Sequence, residues 1–152
     1  MAYTAERSRS ELFVRMVEFD PDSGSETAVT LNPAASATYL ALNANGAPKR
    51  YLFGIMVTVG TGGITTATVK AATAADGTGE TTVVQITPTT ADAVGDHVFV
   101  EVDVDQIRAA LSTATHVGLE IDLVTSTDEC VVTVIGSDGQ HQYDELTANY
   151  IS

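Results

Sequence analysis

His97-Val98-Phe99-Val100-Glu101-Val102-Asp103-Val104 decides the fold class. Val98, Val100, Val102 and Val104 project to one side of an extended chain, and His97, Phe99, Glu101 and Asp103 to the other. A period of two with valine at every second position describes a strand whose one face is covered and whose other face meets solvent. The pattern recurs from His116 to Val124, where Val117, Leu119, Ile121 and Leu123 oppose Gly118, Glu120 and Asp122. It predicts an antiparallel sheet covered on one side.

Outward from these two strands, Tyr51 to Val59 is apolar on both faces and reads as a central strand. Ala37 to Leu42, Ile64 to Ala71, Thr81 to Thr87 and Cys130 to Ile135 are further strand candidates. Between them lie Gly60-Thr61-Gly62-Gly63, Asp76-Gly77-Thr78-Gly79 and Ser137-Asp138-Gly139, which suit hairpin turns because glycine accepts positive φ. Asp103 followed by Gln106 has capping-box spacing, with Val104, Ile107 and Leu111 on one helical face. These signals together predict an all-β, antiparallel β-sandwich of about seven to eight strands with one short helix near 104–111.

The first segment is ambiguous. Leu12, Val14 and Met16 fit a strand face, whereas Leu12/Met16 and Phe13/Val17 fit helical i,i+4 pairs. The expected organisation is an N-terminal arm or first segment over 1–26, a sandwich over 27–138 and a tail over 139–152.

The chain of 152 residues carries 7 Lys and Arg against 20 Asp and Glu, a net charge of −13. Such a surface repels a phosphate backbone and an anionic bilayer, so nucleic acid and membrane are not expected as direct partners. The charge is also unevenly spread. Arg7, Arg9 and Arg15 lie in the first segment, whereas Arg108 is the only basic residue after Ile86. A basic arm on an acidic body invites docking onto an acidic neighbour. The opening residues hold no apolar leader core, and Tyr51–Val59 is too short to span a bilayer. Both point to assembly in the cytoplasm.

No pattern predicts catalysis or a cofactor. Cys130 is the single cysteine and sits in an apolar run, which reads as a buried, inert thiol. His97, His116 and His141 are widely spaced, and His97 and His116 each open a strand, so metal ligation is not expected. Asp20-Pro21-Asp22-Ser23-Gly24-Ser25-Glu26 misses the spacing of an EF-hand loop and reads as a polar turn. Gly60-Thr61-Gly62-Gly63 lacks the Lys-Ser/Thr of a phosphate loop, and no Gly-x-Ser-x-Gly elbow is present. Glu101/Asp103 and Glu120/Asp122 have the spacing of a solvated acidic strand face rather than of an acid/base pair across a cleft.

From Ala35 to Ile135 the chain resembles small β-sandwich virion proteins of tailed bacteriophages, including capsid decoration (cement) proteins. The resemblance rests on the apolar strand Arg50–Val59 with its Gly/Thr turn, the Thr/Ala-rich strand Thr65–Ala72, the Asp76-Gly77 turn and the strand Thr115–Ile121. It implies a non-enzymatic structural protein without cofactor or metal. Such a protein is assembled in the host cytoplasm and bound on the capsid exterior through the major capsid protein or other virion proteins, as a homo-oligomer. The contact elements expected from position, charge and aromatic content are Arg7, Arg9, Leu12, Phe13 and Arg15 in the arm, and Tyr143, Leu146, Tyr150 and Ile151 in the tail. Alternative roles are a head-tail or tail component of the virion, or a carbohydrate-binding, adhesive sandwich. The absence of tryptophan disfavours the sugar-binding role.

Overall fold

The computed structural model describes residues 13–19, 25–26, 39–43, 47–60, 62–89, 91–125 and 128–137, the first two stretches as backbone. Two antiparallel sheets pack face to face. The first holds β1 (Phe13–Phe19), β9 (Glu129–Ser137), β4 (Arg50–Val59) and β7 (His97–Asp103), in that order. The second runs β2 (Ser25–Glu26), β8 (His116–Leu123), β5 (Ile64–Ala72), β6 (Thr81–Ile86), with β3 (Leu40–Ala41) also paired to β8. The expected all-β sandwich is the fold observed.

Alternation sets the core. Tyr51, Phe53, Ile55 and Val57 of β4 are buried, as are Val100 and Val102 of β7 and Cys130, Val132 and Val134 of β9. Facing them are Val117, Leu119, Ile121 and Leu123 of β8 and Ala67, Val69 and Ala71 of β5. The Tyr51 and Phe53 rings stack with centroids 6.5 Å apart. Bulky side chains on β4 and small alanines on β5 share one buried cluster. β4 is central, as its two-sided apolarity predicts.

The ambiguous first segment is a strand from Phe13 to Phe19, because it pairs along its whole length with β9, from Phe13 opposite Gly136 to Phe19 opposite Cys130. Of the strand expected at 37–42, the described part is Leu40–Ala41, with 37 and 38 outside the described residues.

One turn assignment is corrected. Asp76 to Gly79 joins β5 to β6 within one sheet, as a hairpin turn does. Gly60 to Gly63 instead carries the chain from β4 in one sheet to β5 in the other. It is an arch, and buried Asp128 fixes it: a Cβ on Gly60, whose φ is +131°, would lie 2.0 Å from the Asp128 Oδ1. The neighbouring crossing from β8 to β9 is tied to this arch by the Val124 N–H, which donates to the Gly63 carbonyl at 3.1 Å. The third glycine turn, at Ser137, runs out of the described residues.

The single helix among the described residues is α1 (Val104–Ala110), one residue shorter than expected. Its capping box is complete. The Gln106 N–H donates to Asp103 Oδ1 at 2.7 Å, and the Asp103 N–H donates to Gln106 Oε1 at 2.9 Å. Ile107 is fully buried, with Val104 and Leu111 packed beside it against the core. This helix is too short to cross a membrane. Asp103→Ala removes one capping acceptor and strands a helix N–H. The expected loss is about 1 kcal/mol in urea unfolding, with an unchanged m-value.

Candidate functional site

Three sets of side chains carry the chemistry of the described surface. The first lies on the outer face of the second sheet. Lys70 of β5 reaches Glu80 Oε1 at 2.7 Å and also pairs with Glu120 of β8. The Tyr39 hydroxyl donates to Glu80 Oε2 at 2.6 Å. The Tyr39 ring lies on Gly118, where any Cβ would meet ring carbons at 2.3 Å. Burial, and then Glu80, push the Tyr39 phenol well above its ordinary pKa. Burial by itself would lower the Lys70 ammonium, but the bonds from Glu120 and Glu80 outweigh it and hold Lys70 above its usual value. The bond from Lys70, with that from Tyr39, holds the Glu80 carboxyl below the usual range.

This arrangement corrects the expectation of a wet acidic face on β8. Gly118 is covered by Tyr39, Glu120 is largely shielded beside Lys70, and Asp122 accepts the Thr66 hydroxyl at 2.7 Å. Glu120 is paired with a cation and Asp122 with a hydroxyl. Their signal in the sequence was the lone Lys70 within a Thr/Ala strand, which gains meaning only once β5 and β8 are adjacent.

The second set surrounds His116. Its Nδ1 lies 2.8 Å from Thr115 Oγ1, and the Thr115 hydroxyl donates to the Thr73 carbonyl at 2.7 Å. Burial lowers the His116 pKa, with Asp76 opposing the shift. Asp76 Oδ1 in turn accepts the Thr78 N–H at 2.9 Å. Hydroxyl and imidazole thus lie side by side, but the hydroxyl proton is given to a backbone carbonyl. The set pins the β5–β6 hairpin to the start of β8. Burial also pushes the Cys130 thiol up to about 12, which suppresses thiolate chemistry. Among the described residues, no group of three or more His, Cys, Asp or Glu is placed to hold a metal ion.

The third set is the outer face of the first sheet and its two ends. Register places Leu52 between Ile135 and Glu101, Gly54 between Thr133 and Phe99, and Met56 between Val131 and His97. Phe99 is 61% exposed and Met56 41%. At one end the β1 and β9 termini meet, Phe13 opposite Gly136, and Arg50 stands between Ser137 and Asp103. Lys49 and Arg50 lie at this end, Arg15 is opposite Val134 two residues in along β1, and α1 with Arg108 follows directly from Asp103. Glu101 is solvent-exposed, 3.9 Å from Arg50, and Asp103 is committed to the helix cap. At the opposite end Val59, Val94 and Val124 are exposed beside Asp92, Asp96 and Glu129.

Of the expected contact residues, the structure positions Phe13 and Arg15, as backbone on β1. Arg7, Arg9, Leu12, Tyr143, Leu146, Tyr150 and Ile151 lie outside the described residues, as does His141. Of the Asp20–Glu26 turn, only Ser25 and Glu26 are described, as β2. Sequence reasoning missed Tyr39, Lys70 and Glu80 as a unit.

No protein-family model matches the chain, and no curated protein matches it. Among solved structures it is similar to the STIV (Sulfolobus Turreted Icosahedral Virus) MCP, at 12% identity and a TM-score of 0.48 over 90% of this chain and 43% of that one. A sacbrood virus of honeybee chain is similar at 14% identity and TM-score 0.43, over 94% and 81%. The Clostridium thermocellum xylanase 10B CBM22-1–GH10 structure is similar at 14% identity and TM-score 0.41, over 84% and 27%. The chain spans less than half the length of the STIV protein. At these identities and TM-scores below 0.5, none of the likenesses assigns a function.

The polar set makes stability depend on acid in a defined direction. Glu80 titrates lower folded than unfolded, so its contribution is complete above the ordinary glutamate pKa of about 4.3 and disappears as pH falls through the folded value. Glu80→Gln removes that dependence. Urea unfolding measured across this acid window should give a flatter pH slope for the variant than for the parent. Equal slopes would show that the network does not couple protonation to folding.

Proposed function

We propose that this chain is a structural virion protein of a tailed phage that decorates and stabilises the capsid exterior by non-covalent binding to the capsid lattice. The observation that carries the reading is the corner where Phe13 faces Gly136. There β1 begins and β9 ends, side by side. Six of the seven basic residues belong to this corner or to the segments and helix adjoining it, while the body is strongly acidic.

A sandwich from whose one corner two terminal segments of suitable chemistry depart supports clamping. Arg7, Arg9 and Arg15 offer charge to an acidic shell surface. Leu12, Phe13, Tyr143, Leu146, Tyr150 and Ile151 offer apolar and aromatic area to bury there. Contacts made only with assembled subunits stabilise the assembled shell by mass action, and many copies on a repeated lattice add avidity. The resemblance of Ala35–Ile135 to phage decoration proteins supports the phage setting. The acidic remainder, facing outward, would keep finished particles apart.

Co-sedimentation with bare tailed-phage capsids tests the proposal. Full-length protein should pellet with shells and raise their melting temperature. Arg7→Glu combined with Arg9→Glu should weaken binding at least tenfold while leaving the circular dichroism spectrum unchanged. Failure to pellet with shells at any salt concentration ends the decoration reading. Retention on isolated tails instead of heads would replace it with the tail-component role.

A further inference from the structure

β7 is an edge strand: it pairs with β4 on one side, and among the described residues no strand pairs with it on the other. The parity of the ladder shows which of its backbone groups are free. The Val104 N–H donates to the Lys49 carbonyl and the Val57 N–H to the Asp96 carbonyl, each at 2.9 Å. Hydrogen-bonded pairs alternate in an antiparallel ladder, so the even-numbered residues 98 to 104 point their amides at β4, while the Asp96 N–H is given to the Ala93 carbonyl in the preceding turn. His97, Phe99, Glu101 and Asp103 therefore point theirs away from the sheet. The Asp103 N–H is already given to Gln106 Oε1. Three consecutive outward residues, His97, Phe99 and Glu101, are left with paired donors and acceptors and no partner among the described residues.

The usual guards of an edge are weak here. β7 contains no lysine and no proline. Phe99 does not fold over its own open edge. Its ring lies back across the sheet on Gly54, where a Cβ would meet Phe99 Cε1 at 3.0 Å. The helix leaves β7 at Asp103 and lies against β5 and β6 as well as against β7. His97, Phe99 and Glu101 are all exposed.

We propose that β7 pairs antiparallel with β7 of a second copy of this chain, about a twofold axis through Phe99, joining two four-stranded sheets into one of eight strands. Charge and symmetry select this register. With Phe99 opposite Phe99, His97 of each copy faces Glu101 of the other, and all three open residues form hydrogen-bonded pairs. A shift by two residues places Phe99 opposite Glu101 and His97 opposite Asp103, whose amide is engaged by the cap. A shift by four sets Glu101 against Glu101 in chains that already carry −13 each. The contact is isologous and closes after two copies. It stands on the strand edge alone and holds whether or not the chain binds capsids.

Light scattering and cysteine crosslinking of the full chain test it. The protein should run at twice 15.9 kDa, and more completely as salt screens the repulsion between acidic copies. Phe99→Cys places two sulfurs across the axis, with Cα atoms about 5.5 Å apart, inside the range a disulfide spans. Glu101→Cys separates the same atoms by about 14 Å. Mild oxidation should therefore convert the first variant to a covalent dimer at least tenfold faster than the second, with buried Cys130 silent in both. Circular dichroism confirms that both variants fold. A monomer at all salt concentrations overturns the proposal. So does a dimer in which Phe99→Cys stays uncrosslinked, or in which both variants crosslink equally.

Discussion

Burial of every second side chain between two sheets is the constraint from which the rest follows. β4 lies between β9 and β7, and its inner row of Tyr51, Phe53, Ile55 and Val57 is almost entirely removed from water. A slip of one residue would expose that row and bury Arg50, Leu52, Gly54 and Met56 instead. Register is therefore fixed for β4 and, through it, for both neighbours. Each fully buried large apolar side chain contributes on the order of 2 kcal/mol, so the core outweighs every polar contact described on the surface.

Polar and steric devices then hold what the core leaves free. Asp128 sits against the arch between β4 and β5, and its carboxylate has room there only because Gly60 carries no side chain. On the other sheet, a missing Cβ at Gly118 gives the Tyr39 ring its seat, and the Tyr39 hydroxyl reaches the Lys70–Glu80 pair. Both sites follow one logic: a glycine makes a hollow, and a side chain far away in sequence fills it.

The sequence announces features that depend on local spacing. The valine alternation of 97–103 and 116–123 and the capping box of Asp103 and Gln106 could be read directly, because neighbours a few residues apart determine them. Features set by distant partners could not. The Phe13–Phe19 segment satisfies helical and extended spacing equally until β9 lies beside it. Gly60–Gly63 shows that the backbone must turn but not that it changes sheets. Glu120 looks like a solvated acid until Lys70 is placed next to it. The proposed contact residues are legible as a charge and aromatic bias of the chain ends, whereas the open edge of β7 is a property of sheet order, which no local pattern encodes.

The uneven distribution of cations has a consequence for motion as well as for contact. Lys49, Arg50 and Arg108 offset Glu101, Asp103 and Asp105 at one extremity of the sandwich, whereas Asp92, Asp96 and Glu129 at the other have no lysine or arginine beside them among the described residues, on a molecule whose overall charge is strongly negative. Such a body carries a permanent dipole along its strands. In the field of another charged object it turns before it touches, presenting the less negative pole to an anionic surface. Its orientation on arrival is thus biased by long-range torque, and the search over wrong-way-round collisions is shortened before any side chain meets its partner.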